Sequence, residues 1–283
     1  MRPKVFTIIL NWNGHHDTMT CLNSIKKSTY TDNQVVVIDN GSSDESIKAI
    51  EHFDDFYILI KTGVNLGFSG GCNVGIKYAL EQHAEYIWLL NNDTEADSNA
   101  LHEMVSKAES DTRIGVVGSV IHDMGTINHI QAWGGGWVSK LTGRAGHYFT
   151  VNDEPHIDYI TGTSMLLRAS AVNDVGLFDE KSFFMYWEDV DLCCRLRKAG
   201  WKLAVANNSK IFHKKSASVG NNSPLLDYYY NTSAIRFYLK NYKNPFIPIL
   251  VGTSGRLLKR VLSRDKKRIV STLKGSWVGL TKR

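Results

Sequence analysis

Three carboxylates fall within four positions at Glu188-Asp189-Val190-Asp191, directly behind the aromatic run Phe183-Phe184-Met185-Tyr186-Trp187. Periodicity predicts that a helix starts there. On it Asp189 joins the stripe of Leu192, Cys193 and Leu196, whereas Glu188, Asp191 and Arg195 share the opposite face. An acid aimed at the apolar side beneath aromatic rings is a candidate general base, and Glu188 is its catalytic neighbour. A helix N-terminus lowers an acid's pKa, so desolvation by Tyr186 and Trp187 has to offset it. Acids also favour a first helical turn for dipole reasons alone, and Asp191 with Arg195 at i,i+4 fits that plainer reading. Tyr186 and Trp187 offer flat apolar surface either to a bound ligand or to the core.

Another acid, Asp93, closes Asn91-Asn92-Asp93 behind the apolar strand Tyr86-Ile87-Trp88-Leu89-Leu90. A carboxylate at a sheet edge suits Mg2+ or Mn2+, which takes few protein oxygens and completes its shell with water and phosphate oxygens. Two more polar residues end apolar runs, Asn11 after Val5 to Leu10 and Asp39 after Val35 to Ile38. Asp and Asn are also ordinary turn residues. Between these clusters Asn65-Leu66-Gly67-Phe68-Ser69-Gly70-Gly71-Cys72-Asn73-Val74-Gly75 is a glycine-dense loop entering a helix. Its amides can approach a phosphate or sugar, or its glycines serve tight helix packing. It matches neither the dinucleotide fingerprint nor the P-loop.

The elements that position these groups alternate. Strands are expected near 5–10, 35–38, 57–60, 86–90 and 115–120. Helices are expected from the capping box Ser42-Ser43-Asp44-Glu45 toward Ile50, near 75–82 and near 98–108. Such alternation predicts an α/β fold, a mostly parallel Rossmann-like sheet flanked by helices, with ligands at the carboxyl ends of the strands.

A chain of 283 residues with 43% hydrophobic and 22% charged residues and 5 prolines is an ordinary globular protein. Charge is uneven within the net +5: from Arg256 to Arg283 ten Lys/Arg face the single Asp265, while residues 1–255 carry 23 basic and 27 acidic groups. The body is therefore no nucleic-acid binder. The tail sets Leu258, Val261, Leu262, Ile269, Val270, Leu273 and Trp277 among basic residues, which suits an anionic membrane surface or a helix packed on its own domain. Four cysteines without a C-x-x-C pair argue against a disulfide scaffold or a structural zinc site. The apolar runs 5–10 and 246–251 fall short of a signal h-region and of the roughly 20 residues of a membrane span. Cytoplasmic synthesis is the expectation, with the tail as a peripheral contact to the inner face of the membrane.

Taken together, Ile8-Ile9-Leu10-Asn11-Trp12-Asn13-Gly14, Val37-Ile38-Asp39-Asn40-Gly41-Ser42-Ser43-Asp44, Asn65 to Gly75, Leu90-Asn91-Asn92-Asp93, Gly162-Thr163-Ser164-Met165, and Val175 to Glu180 running into Glu188-Asp189 resemble glycosyltransferase family 2. These are inverting enzymes of the GT-A fold, and the likeness, over roughly residues 4–240, is to the rhamnosyltransferase-like bacterial branch. The resemblance implies a catalytic domain over 1–225, with a donor half to about 120 and an acceptor half beyond, and a helical basic extension over 226–283. It implies that Asn11 and Asp39 hold the pyrimidine of a dTDP- or UDP-sugar. Asn13, Asn65, Gly67, Gly71, Asn73, Asn91 and Asn92 complete the donor site, and Gly162 and Thr163 join Tyr186 and Trp187 on the acceptor side. Asp93 takes the metal position of the family's D-x-D element, in which Asn91 replaces the first Asp. His213, in Ile211-Phe212-His213, matches the histidine that completes the metal site, or is structural. Residues 214–223 form a candidate loop over the donor, while Trp133-Gly134-Gly135-Gly136-Trp137 has no derivable role. The implied reaction extends a glycan or a polyprenyl-diphosphate-linked glycan of a bacterial surface polysaccharide. A sugar-nucleotidyltransferase, which would need a basic glycine-rich loop after the first strand, and a non-catalytic carbohydrate-binding protein are the competing readings.

Overall fold

A computed structural model describes residues 2–150, 156–214 and 223–281. Its central sheet begins with β1 (Val5–Asn11), β2 (Asn33–Asp39), β3 (Tyr57–Lys61) and β4 (Tyr86–Asn91), all parallel, in the order β3-β2-β1-β4. The crossovers carry α1 (His15–Ile25), α2 (Ser46–Glu51) and α3 (Gly67–Glu81). Helices cover both faces, so β1, β2 and β4 are apolar on both sides instead of alternating. Ile8, Val36, Ile38 and Leu89 pack with Ile76 of α3 on one face. On the other, Ile9, Val37 and Trp88 meet Leu22 of α1 and Met104 of α4 (Ala100–Glu109).

Past β4 the sheet is mixed. β5 (Thr94–Ala96), β6 (Ile114–Asp123), β7 (Ile130–Trp133), β11 (Ser164–Arg168) and β12 (Lys202–His213) extend it in the order β4-β11-β6-β12-β5, with β7 on β6. β11 is antiparallel to both β4 and β6, and β5 is antiparallel to β12. These reversals depart from the parallel alternation of the first 120 residues, and they build the site. Each sets the beginning or end of a distant segment beside the carboxyl end of β4.

The Trp-Gly-Gly-Gly-Trp segment lies in a small second sheet of β8 (Gly135–Val138), β9 (Ala145–His147) and β10 (Tyr159–Ile160), ordered β10-β8-β9. A Cβ on Gly136 would stand 2.3 Å from the Gly146 carbonyl, so only glycine lets these strands pair. Helices α5 (Ala169–Val175), α6 (Glu188–Lys198), α7 (Pro224–Asn241), α8 (Phe246–Leu262) and α9 (Lys266–Thr281) complete the described chain. The side chain of Ser223 caps α7 by accepting from Leu225 N at 3.2 Å, with Pro224 at the first helical position. No helix among the described residues is long and apolar enough to cross a membrane.

Two local expectations need correction. The residues 42–45 do not act as a capping box: α2 starts at Ser46, whose N–H donates to Asp44 Oδ1 at 2.9 Å, because Ser42 Oγ accepts from Asn11 Nδ2 and Asn13 N. α3 begins at Gly67, not near Gly75. A Cβ on Gly71 or Gly75 would lie 2.4 or 2.3 Å from side-chain carbons of Leu10 and Ile8, so the glycines serve close packing of helix on strand.

Candidate active site

A cavity of about 420 Å3 opens where β4 ends, β11 begins and α6 starts. Asn91, Asp93, Gly162, Thr163, Tyr186, Trp187, Glu188, Asp189 and His213 all contribute to its wall. β4 delivers Asn91 and the turn to Asp93. The antiparallel register Ser164↔Leu90 brings 162–163 alongside, and Asn91 N donates to the Thr163 carbonyl at 3.0 Å.

The segment before α6 is held in an unusual backbone state. Tyr186 and Trp187 have φ of +65° and +68°, two successive non-glycine residues in the left-handed region, a strain that persists only where the surroundings dictate it. Phe68 N donates to the Phe184 carbonyl at 2.8 Å, Ser233 Oγ to that of Met185 at 2.9 Å, and Arg236 Nη1 to that of Ser182 at 2.7 Å. The turn they impose points the first residues of α6 into the cavity.

Asp189 is fixed by two amides: Gly162 N donates to Oδ2 at 3.0 Å and Val190 N to Oδ1 at 2.8 Å. Desolvation raises its pKa even so, with those two bonds opposing the shift. Beside it Glu188 is buried, its Oε2 has no hydrogen-bond partner among the described residues, and burial together with the Asp189 charge pushes its pKa well up. Of the two, Asp189 is the one equipped to stay ionised, while burial and the neighbouring charge favour the protonated form of Glu188. Glu188 therefore does not lie on a face opposite Asp189; in the first helical turn both reach one cavity. Asp191 is also not solvent-facing. It is fully buried beneath α7, where it accepts from Arg195 Nε at 2.9 Å, Lys240 Nζ at 3.1 Å and Asn241 Nδ2 at 3.0 Å.

Asp93 and His213 meet through the β5–β12 pairing, in which Thr94 opposes His213. His213 Nε2 stands 3.3 Å from Asp93 Oδ1, and Lys214 N donates to the Asp93 carbonyl. Two ligands in neighbouring octahedral positions around an ion with bonds of about 2.0–2.1 Å lie about 3 Å apart, so this spacing fits Mg2+ or Mn2+. No set of three or more His, Cys, Asp or Glu side chains gathers there among the described residues, so a bound ion would need oxygens from outside the protein to complete its shell.

Other expected donor contacts lie outside the cavity wall. Asn11 and Asp39 face each other across β1 and β2, both fully buried, with Asn11 Nδ2 donating to Asp39 Oδ1 at 2.9 Å and Ser42 N to Asp39 Oδ2 at 3.1 Å. Asn13, at φ +51°, accepts from Ser43 N, and Asn92 Nδ2 donates to Thr18 Oγ1 at the head of α1. Asn65 Oδ1 accepts from Gly67 N at 2.8 Å and so starts α3. Gly67, at φ +75°, would place a Cβ 2.3 Å from the Phe184 carbonyl. The donor assignment of Asn73 is corrected: its amide donates to the Phe178 carbonyl and Glu180 Oε2 while its Oδ1 accepts from Phe178 N, which ties α3 to the 178–180 turn. Gly71 likewise serves packing. The ring of Trp187 belongs to the core, against Tyr230, Phe237 and Tyr238, while Tyr186 remains half-buried at the wall. Residues 215–222 of the expected loop lie outside the described residues.

Three residues of consequence carried no motif. His147 and Tyr159 share a 3.1 Å hydrogen bond on the far wall, and burial lowers the His147 pKa, keeping the ring neutral. Gln131 reaches His213 Nδ1 at 3.0 Å. The three consecutive glycines between Trp133 and Trp137 were the available sign that a tight sheet forms there.

The family model described as Glycosyl transferase family 2 matches residues 7–176, more than half of the chain. A low-salt glycan biosynthesis hexosyltransferase, Agl10, of Haloferax volcanii is 26% identical over 98% of this chain and 84% of its own length. An N-acetylglucosaminyl-diphospho-decaprenol L-rhamnosyltransferase of Mycobacterium tuberculosis is 27% identical over 70% of this chain and 72% of its own. Among solved structures, the mannosyltransferase PcManGT of Pyrobaculum calidifontis in complex with GDP-Man and Mn2+ superposes with a TM-score of 0.63 at 12% identity, over all of this chain and 88% of that one. GalNAc-T7 with UDP, GalNAc and Mn2+ gives 0.71 at 13% identity, over 99% of this chain and 56% of that one. The fold is GT-A, and the chain belongs to glycosyl transferase family 2 as a glycosyltransferase.

Proposed function

We propose that the chain is a divalent-metal-dependent, inverting enzyme that moves a hexose, L-rhamnose, from a dTDP- or UDP-linked donor to a hydroxyl of a glycan or polyprenyl-diphosphate-linked glycan at the cytoplasmic face of the membrane. The observation that carries this reading is one cavity walled both by Asp189 at a helix start and by Asp93 with His213 at the sheet edge. Asp189, anchored by two amides and raised in pKa by desolvation, takes the proton of the acceptor hydroxyl. That oxygen attacks the anomeric carbon from the side opposite the departing diphosphate, so the configuration inverts in one displacement. Asp93 and His213 hold the ion, which when bound supplies positive charge against the diphosphate. Asp39 would meet the imide N–H that uracil and thymine share only once its buried carboxylate opens from Asn11 and Ser42. The rhamnose and the lipid-linked acceptor are carried over from the mycobacterial relative's name.

Incubation of the purified protein with dTDP-, UDP- and GDP-sugars, with and without Mn2+, tests the reading by release of nucleoside diphosphate. Mn2+-dependent hydrolysis of a pyrimidine donor that Asp189→Asn abolishes is the expected result. Absence of both hydrolysis and binding across the panel overturns it.

A further inference from the structure

A surface helix of a soluble domain turns its apolar stripe to the core. α8 does the reverse. Phe246, Ile247, Leu250, Leu258, Val261 and Leu262 gather within about 160° of the helix circumference at about 100° per residue, and all six are exposed, Phe246 to 76% and Leu262 to 75%. Its protein-facing side buries only Pro248, Ile249 and Gly252 and is otherwise held by polar contacts, with Arg256 Nε donating to Asn231 Oδ1 at 2.7 Å and Arg260 Nη2 to Asp227 Oδ1 at 2.7 Å. α9 repeats the inversion. Thr272, Gly275, Ser276 and Gly279 are buried, with Gly275 against the Tyr228 carbonyl of α7, whereas Val270, Leu273, Trp277 and Leu280 are exposed, Trp277 to 68%.

Charge identifies the occupant. Lys243, Lys259, Arg264, Lys266, Lys267 and Lys274 are exposed on the same two helices and the turn before them, and Asp265 is the only acid between 243 and 281. A second copy of this face would bring like charges together, whereas an anionic bilayer offers headgroup phosphates to the cations and acyl chains to the apolar side chains. We infer that the α8–α9 face docks on an anionic lipid surface, with α8 lying in the interfacial plane.

The dock also orients the cavity. The turn between β8 and β9, which also carries exposed Leu141, rests on α8, Gly143 lying so close to the Pro248 carbonyl that a Cβ would meet it at 1.9 Å. β9 in turn walls the cavity through Ala145, Gly146 and His147. Lipid docking thus sets one wall of the cavity beside the bilayer. The inference stands on these helices alone and survives if the proposed reaction does not.

The full chain is mixed with vesicles of phosphatidylcholine, alone or with about 30% phosphatidylglycerol, and assayed by co-sedimentation and Trp fluorescence. Salt-sensitive binding to the anionic vesicles with a blue shift that Trp277→Ala removes is expected. Leu250→Glu with Leu258→Glu, and separately Lys266→Glu with Lys267→Glu, should each weaken binding about tenfold or more with unchanged circular dichroism and unchanged donor hydrolysis. Wild-type protein left in the supernatant, or variants that bind as well as wild type, would overturn the inference. So would a light-scattering dimer that Leu250→Glu with Leu258→Glu splits into monomers, which would make the face a self-association surface.

Discussion

Gln131 Oε1 lies 3.0 Å from His213 Nδ1, while the Gln131 amide nitrogen donates to Asp123 Oδ1 at 2.6 Å and to the His213 carbonyl at 2.8 Å. With its NH2 so committed, Gln131 can only accept from the imidazole. A ring proton therefore sits on Nδ1, and Nε2 is the nitrogen directed at Asp93. Gln131→Leu should weaken Mn2+ binding about 10–100-fold, read by calorimetry without any sugar present. Equal affinity in variant and wild type would remove the orienting role.

Asp189→Asn keeps an acceptor for one of the two amides, sets an NH2 against the other, and removes the base. Donor transfer should fall about 10²–10⁴-fold in kcat, with little change in donor KM. Because desolvation raises the Asp189 pKa, the acidic limb of the wild-type rate profile should sit above the ordinary carboxylate range, activity being lost as pH falls through that value.

Glu188→Gln separates the two acids. A carboxyl held protonated is closely copied by an amide, so the variant should retain far more activity than Asp189→Asn. Its stability carries a sign. Glu188 has a raised folded pKa, so wild-type stability declines as pH rises from the unfolded value of about 4.3 toward the folded one. The variant, which has no proton to lose, should melt about 2–4 °C or more above wild type at pH 7.5 and lose that advantage below the unfolded pKa. A variant that melts lower at both pH values contradicts a protonated Glu188.

Asp227 is the anchor of the C-terminal helices, bound by Arg260 and Arg268 in a buried cluster. Burial raises its pKa, but the hydrogen bonds from Arg268 and then Arg260 outweigh it, and the net shift is downward. Its stabilisation is present above the unfolded pKa and is lost as pH falls through the folded one. Asp227→Ala leaves two arginines without their counter-charge and should cost about 3–5 kcal/mol. Thermal melts and protease release of α8–α9 measure it.

The residues legible in the sequence were those whose neighbours in the chain determine their surroundings. Apolar runs closing in Asn11, Asp39 and Asp93 mark strand ends, and aromatics giving way to acids mark the start of α6. What stayed hidden depends on residues far along the chain. Asp191 is buried because α7, from Pro224 onward, crosses it with Lys240 and Asn241. Ser42 is diverted from a cap by Asn11 and Asn13, thirty positions earlier. β11 is too short and too apolar to announce its direction. The polarity of α8 was visible as a pattern, but which side met the protein was decided by Asn231 and Asp227.

Gly67 and Phe68 join the start of α3 to the turn before α6 through main-chain atoms, with Phe68 N on the Phe184 carbonyl. In the proposed reaction, a sugar nucleotide on one side and a hydroxyl on the other would be held in register by that shared seam. The β8–β9 ribbon walls the same cavity through Ala145, Gly146 and His147, which makes it one place where the pocket can be widened for a bulkier substrate.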